Sequence, residues 1–239
     1  MSASIKTRVP VSRFAVVLFL LCCLLSPAMG AECEPSPMGS DAPPAPAAAP
    51  NGAPGVRAPS PSVPSSDAIG ALRKGARQAA LVLGPGFGTR ALGSKRRHDL
   101  ALTAIQYSRV TSDVIGAGRW YRGNAELVFE LFGGTQEEPS RRTVVGILPM
   151  LRYSFATGSR WVPFVTGGVG GAYTTIADPD LSGGLQFTVQ VGAGTHYFMS
   201  RDRALTLQYR WFHLSNAGIR SPNSGLNSHL VFTGVSWLF

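Results

Sequence analysis

Between residue 76 and residue 239 apolar and polar side chains alternate, again and again, in stretches of about ten to fifteen residues. No stretch there sustains the i, i+3, i+4, i+7 apolar spacing of an amphipathic helix. Period-two alternation puts successive side chains on opposite faces of a strand, so this pattern restricts the region to an all-β fold. It predicts eight strands: 77–88, 99–110, 119–132, 143–156, 161–174, 185–199, 204–215 and 228–239. The joints carry turn residues, as in GSKRRH, SDVIGAG, GGTQEEPS, DPDLSGG and SRDR.

The alternation alone fits two architectures. A water-soluble sandwich buries its apolar face, whereas a transmembrane barrel shows that face to lipid and turns the polar one to the lumen. Three features favour the barrel. The strands suit a tilted span of about 10 residues. Aromatic residues recur near strand ends (Trp120, Tyr121, Trp161, Tyr173, Tyr197, Trp211, Trp237), as interfacial girdles require. The final strand ends on Phe239, which resembles the assembly signal read by the outer-membrane assembly machinery. The expected fold is an eight-stranded antiparallel transmembrane β-barrel, too narrow for an open pore, with a small and polar lumen-facing side.

The N-terminal region points to the same compartment. Lys6, Arg8 and Arg13 precede an apolar run, Phe14–Leu25, and Ala28-Met29-Gly30 offers small residues for cleavage. This is the layout of a secretory signal peptide, assigned to residues 1–30. Residues 31–75, rich in Pro, Ala, Ser and Gly, are expected to be a disordered periplasmic segment, and 76–239 the barrel. Cys33 would be the single cysteine left after cleavage, so no disulfide scaffold is expected. The formal net charge of +9 is spread over turns rather than gathered on one face, which argues against nucleic acid and for an anionic lipid surface. His98, His196, His213 and His229 lie on separate segments without ligand spacing, so neither a metal nor a cofactor is expected.

One stretch departs from the barrel pattern: WFHLSNAGIRSPNSGLNS, residues 211–228. The outward parity of Leu205, Leu207, Tyr209 and Trp211 continues to His213 and Ser215, about 7 Å apart along the strand. Counting back along the last strand places His229 and Asn227 on the outer face as well, with Asn227 able to lie beside His213. A serine, a histidine and an orienting residue are the parts of an activated nucleophile. The following loop offers amide groups at Asn223, Ser224 and Gly225 for an oxyanion. A histidine beside Trp211 also suits a membrane interface, and Asn, Gly, Ser and Pro are ordinary turn residues.

The run His213-Leu214-Ser215-Asn216-Ala217-Gly218-Ile219, followed by Pro222-Asn223-Ser224-Gly225-Leu226-Asn227, resembles the signature of the outer-membrane lipid A 3-O-deacylases (PagL-like). The resemblance implies His213 as general base, Ser215 as nucleophile, Asn227 as third member, and Asn216, Asn223 and Gly225 as oxyanion or substrate contacts. It implies lipid A or lipopolysaccharide in the outer leaflet as partner and leaves a homodimer open. Arg220, with Arg201 and Arg203, could offer charge to its phosphates if those segments lie at headgroup level. The family's third member is typically acidic. Asparagine here can accept a hydrogen bond from histidine but brings no charge. The expected activity is a serine esterase acting on the 3-O-linked acyl chain. The alternatives are a non-catalytic tethering barrel and a broader lipid esterase or phospholipase.

Overall fold

The structure, a computed structural model, describes residues 72–239. The expected signal peptide and all but the last residues of the Pro/Ala-rich segment lie outside the described residues. Eight strands follow in chain order: β1 (Arg77–Thr89), β2 (Asp99–Val110), β3 (Gly123–Glu138), β4 (Arg142–Phe155), β5 (Trp161–Ala177), β6 (Ser182–Phe198), β7 (Arg203–Ser215) and β8 (Leu226–Leu238). Each pairs antiparallel with its neighbours, and β1 pairs with β8 to close the barrel. One departure from the expected boundaries is β3, which starts at Gly123 instead of residue 119. Gly116 and Gly118, both at positive φ, and a turn through Arg119–Arg122 hold the chain out of the sheet there.

The pleat sorts side chains as the alternation requires. On β2, Ile105 and Tyr107 are exposed while Leu102, Ala104 and Gln106 are buried. The outward set around the wall includes Phe129, Leu131, Ile147, Leu151, Val165, Val169, Val191 and Leu207. An apolar exterior of this kind is stable in hydrocarbon and would aggregate in water. No helix among the described residues is long and apolar enough to cross a membrane.

The lumen is less polar than its sequence pattern suggests. Toward the β7–β8 loop it is filled by Leu102, Phe132, Leu148, Phe212, Leu230 and Phe232. A polar layer follows, in which Arg210 donates to Glu130 at 2.8 Å and to Gln190 and Gln208, and Arg152 donates to Gln106 at 2.8 Å and lies 3.6 Å from Glu126. A second apolar cluster of Leu72, Val110, Val162, Phe198 and Ala204 seals the far end. Most of these buried polar groups pair with one another, while Gln78 Nε2, Arg152 Nε and Gln208 Nε2 are buried without a partner among the described residues. Leu72 is 3% exposed, so the expected end of the disordered segment at residue 75 falls inside a packed stretch.

Candidate active site

β7 carries the site because its inward parity is strict. Ala204, Thr206, Gln208, Arg210, Phe212 and Leu214 are all buried. His213 and Ser215 therefore point out of the barrel, into the region of the lipid-facing wall, and both are half-buried. The β7–β8 register sets His213 opposite Asn227. His213 Nε2 lies 3.1 Å from Ser215 Oγ, and Nδ1 lies 2.8 Å from Asn227 Oδ1.

Asn227 is fully buried, because the β1–β2 loop covers it. Its Nδ2 donates to the Ala91 carbonyl at 2.8 Å. That bond fixes which end of the amide meets the histidine: with Nδ2 held by Ala91, Oδ1 faces Nδ1. Nδ1 is then the protonated nitrogen, and the lone pair of Nε2 is free to accept from the serine hydroxyl. Trp211, one step down the same face, lies parallel to His213 at 9° with ring centroids 5.6 Å apart. Across the pair, Tyr209 Oη lies 2.6 Å from His229 Nδ1.

A family model described as lipid A 3-O-deacylase (PagL) matches residues 108–236, more than half of the chain. The chain belongs to the lipid A 3-O-deacylase (PagL) family. Over 99 residues it is 30% identical to the lipid A deacylase PagL of Pseudomonas aeruginosa, which is 40% of this chain and 54% of that relative's length. Similar solved structures include the outer membrane enzyme PagL (TM-score 0.48, 20% identity, covering 66% of this chain and 97% of that one). Neisserial surface protein A is another (TM-score 0.46, 15% identity, 70% and 98% covered). This PagL-family chain is a bacterial outer-membrane β-barrel.

The PagL-family loop between β7 and β8 places the expected oxyanion residues unequally. Asn223 Oδ1 accepts the Asn216 N–H at 2.8 Å, and among the described residues nothing accepts from Asn223 Nδ2. Asn216 is placed otherwise than expected. It continues the inward parity of Phe212 and Leu214, is 2% exposed, and commits its side-chain amide to loop partners. Its Nδ2 donates to Ser182 Oγ and the Arg220 carbonyl, and its Oδ1 accepts from Gly218 N–H and Arg220 N–H. Gly225 also departs from its expected role, since its N–H donates to the Asp180 carbonyl at 3.0 Å. Its importance is steric. It sits at φ +82°, and a Cβ there would lie 2.9 Å from His213 Cε1. Arg220 is exposed beside the site, with its guanidinium near Gly184. Arg201 and Arg203 belong to the β6–β7 end, at the opposite mouth of the barrel, and cannot share a headgroup with Ser215.

Sequence spacing held no hint of the cluster that braces this loop. His98, Asp178 and Asp180 offer nitrogen and oxygen atoms within 4.8 Å of one another. The Asp180 carboxylate accepts from Lys95 N–H (2.7 Å), Arg96 N–H (2.8 Å), Ser94 Oγ (3.3 Å) and His98 Nε2 (3.1 Å). Asp180 is bonded to the β1–β2 loop through both carboxylate oxygens and so clamps that loop, while Asp178 Oδ2 beside it is buried without a hydrogen-bond partner among the described residues. Burial alone would raise the Asp180 carboxyl, but the Lys95 N–H, the His98 ring and the Arg96 N–H outweigh it and hold the group below the ordinary aspartate value. Through its carbonyl, Asp180 also holds Gly225, and so ties the β1–β2 and β5–β6 loops to the loop beside His213.

Proposed function

We propose that this barrel is an outer-membrane serine esterase that hydrolyses the 3-O-linked acyl chain of lipid A. One observation carries the reading: the relay Ala91–Asn227–His213–Ser215 stands on the lipid-facing wall instead of in the lumen. A lipid A molecule can reach it by lateral diffusion, with its ester at the membrane boundary and its acyl chains still in hydrocarbon. Leaving the bilayer would cost such a substrate about 0.8 kcal/mol per CH₂ exposed, so chemistry at the wall avoids that cost.

In this reading Ser215 Oγ attacks the ester carbonyl carbon while its proton passes to His213 Nε2. The carbonyl π electrons move to oxygen, and the oxyanion accepts from Asn223 Nδ2, the donor left uncommitted beside the nucleophile. The C–O bond to the sugar then breaks, and Nε2 returns its proton to the leaving oxygen. Water repeats the sequence on the acyl-serine and frees the fatty acid. Asn227 does for the histidine what a carboxylate does for orientation. An asparagine free to turn can present its N–H₂ and select the wrong tautomer, but the Ala91 carbonyl removes that option. Arg220 is placed to pair with a lipid A phosphate at headgroup level.

The test is chemical. The purified barrel in detergent is given lipid A, and the released acid and the remaining lipid are weighed by mass spectrometry. Wild type should shed one 3-linked chain and Ser215→Ala none. Release from glycerophospholipid instead would move the assignment to a broader lipid esterase. No serine-dependent release from either lipid would end the hydrolase reading.

A further inference from the structure

Proton transfer from Ser215 leaves a positive imidazolium at the edge of a hydrocarbon phase. A charge there is poorly solvated, and the usual remedy is a carboxylate on Nδ1. Here the partner on Nδ1 is a neutral amide, and among the described residues no carboxylate pairs with His213. The ring is instead covered on one face. Trp211 lies parallel to it at 9° and 5.6 Å. The register sets the tryptophan opposite His229, which stacks on Tyr209 at 18° with Tyr209 Oη 2.6 Å from its Nδ1. A cation within about 6 Å of an indole face is attracted by the ring quadrupole, most strongly where water is excluded.

We propose that Trp211 is a positioning residue for His213 whose indole face stabilises the imidazolium formed in the reaction and so stands in for the missing carboxylate. The inference rests on the esterase reading above. A tryptophan present only as an interfacial anchor would owe nothing to its π density, whereas this one acts through it. The interaction is stronger with the charged ring than with the neutral one, so it lowers the barrier and leaves substrate binding alone. Its loss should appear in kcat and not in KM. By the range for such contacts, Trp211→Leu should lower kcat about 3- to 30-fold, and Trp211→Phe, which keeps a smaller π face, by less.

The deciding experiment changes electron density at nearly constant size. The four tryptophans are replaced biosynthetically by indoles carrying one, two or more fluorines, and acyl release from purified lipid A is followed. We expect log kcat to fall stepwise with fluorine number, with KM fixed. The same series in Trp211→Phe should be flat, which removes any contribution of Trp120, Trp161 and Trp237. A flat series in the wild-type protein, or a Trp211→Leu defect confined to KM, overturns the proposal. If activity is present and abolished by Ser215→Ala while the series is flat, only this inference falls. If wild type releases no acid, the esterase reading falls with it.

Discussion

Arg210 and His213 stand three residues apart on β7, one aimed into the barrel and one out of it, and their hydrogen bonds are used differently. Arg210 is fully buried and gives its donors to Glu130, Gln190 and Gln208, with its guanidinium 5.1 Å from the Phe232 ring. Nothing is left over for chemistry. His213 gives one nitrogen to a fixed acceptor and the other to a serine hydroxyl that has the open lipid side before it. Inside, the charged groups of this layer are tied to one another across strands and hold the barrel's shape. Outside, a short chain of them is left with a reactive end. The same strand supplies both because its pleat alternates, so substitutions at even and at odd positions should fail in different ways.

The largest expected effect lies on the outer side. His213→Ala removes the base from the relay and should lower acyl-chain release by about 10⁴- to 10⁶-fold, since members of such a unit are not additive. The side chain is half-buried on the wall, and its removal, which leaves the buried Asn227 Oδ1 without its donor, should cost the barrel only about 1 kcal/mol. Turnover of lipid A and unfolding in urea, measured on the same preparation, read the two effects separately. A variant that unfolds easily would break the contrast.

The lumen should behave in the opposite way. Arg210→Met strands the Glu130 carboxylate in a buried site and should cost about 3–5 kcal/mol of stability. Adding Glu130→Leu should recover much of that loss, because apolar replacement of a whole buried pair is often neutral. Barrels that remain folded should turn over lipid A at the wild-type kcat. Urea unfolding in liposomes checks the first statement, and turnover normalised to folded protein checks the second.

How far the sequence led follows from the same alternation. Parity places His213 and Ser215 on the outer face and Asn227 opposite, because a strand's side-chain period is fixed by covalent geometry. The same rule, carried one residue further, points Asn216 inward and would have removed it from the oxyanion set. The motif letters hid this. Trp211 was visible as a girdle residue, yet its place two positions before His213 on one face was also a sign of the stack. The apolar upper lumen was harder to see, since a residue such as Phe212 or Phe232 at a lumen position reads in one strand as an exception. Only the closed barrel shows that Phe132, Phe212 and Phe232 fill one volume. The clamp was beyond reach: His98 and Asp180 are 82 residues apart, and no local pattern reports a contact between loops.

Gly225 sharpens the contrast because its defect should be mostly geometric. Gly225→Ala meets two obstacles, a φ of +82° and a Cβ 2.9 Å from His213 Cε1. The left-handed conformation costs an alanine about 1–2 kcal/mol, confined to a loop. Pushing the imidazole aside should matter more, since misplacement by about 1 Å can cost about 10²-fold. We expect a loss in kcat of roughly 10- to 100-fold with the barrel's unfolding midpoint little changed. A loss of stability without loss of turnover would show that the ring has room to move.

The smallest effect should come from acid. Burial would raise the Asp180 carboxyl, but the Lys95 N–H, the His98 ring and the Arg96 N–H outweigh it and hold the group below the ordinary aspartate value. A group depressed in this way lends stability to the folded loops above its unfolded value of about 3.9 and withdraws it as pH falls through the lower, folded value. The amides of Lys95 and Arg96 should therefore exchange slowly at about pH 5 and 6, and faster only below about pH 4. Asp180→Asn, with one acceptor oxygen where the carboxylate has two, should exchange faster throughout and lose the acid step. Because Asp180 also holds Gly225 N–H, loosening should reach the loop beside His213 before it reaches any strand. Exchange at Lys95 that quickens already between about pH 6 and 5 would mean that some other group fastens these loops, and the clamp would have to be reassigned.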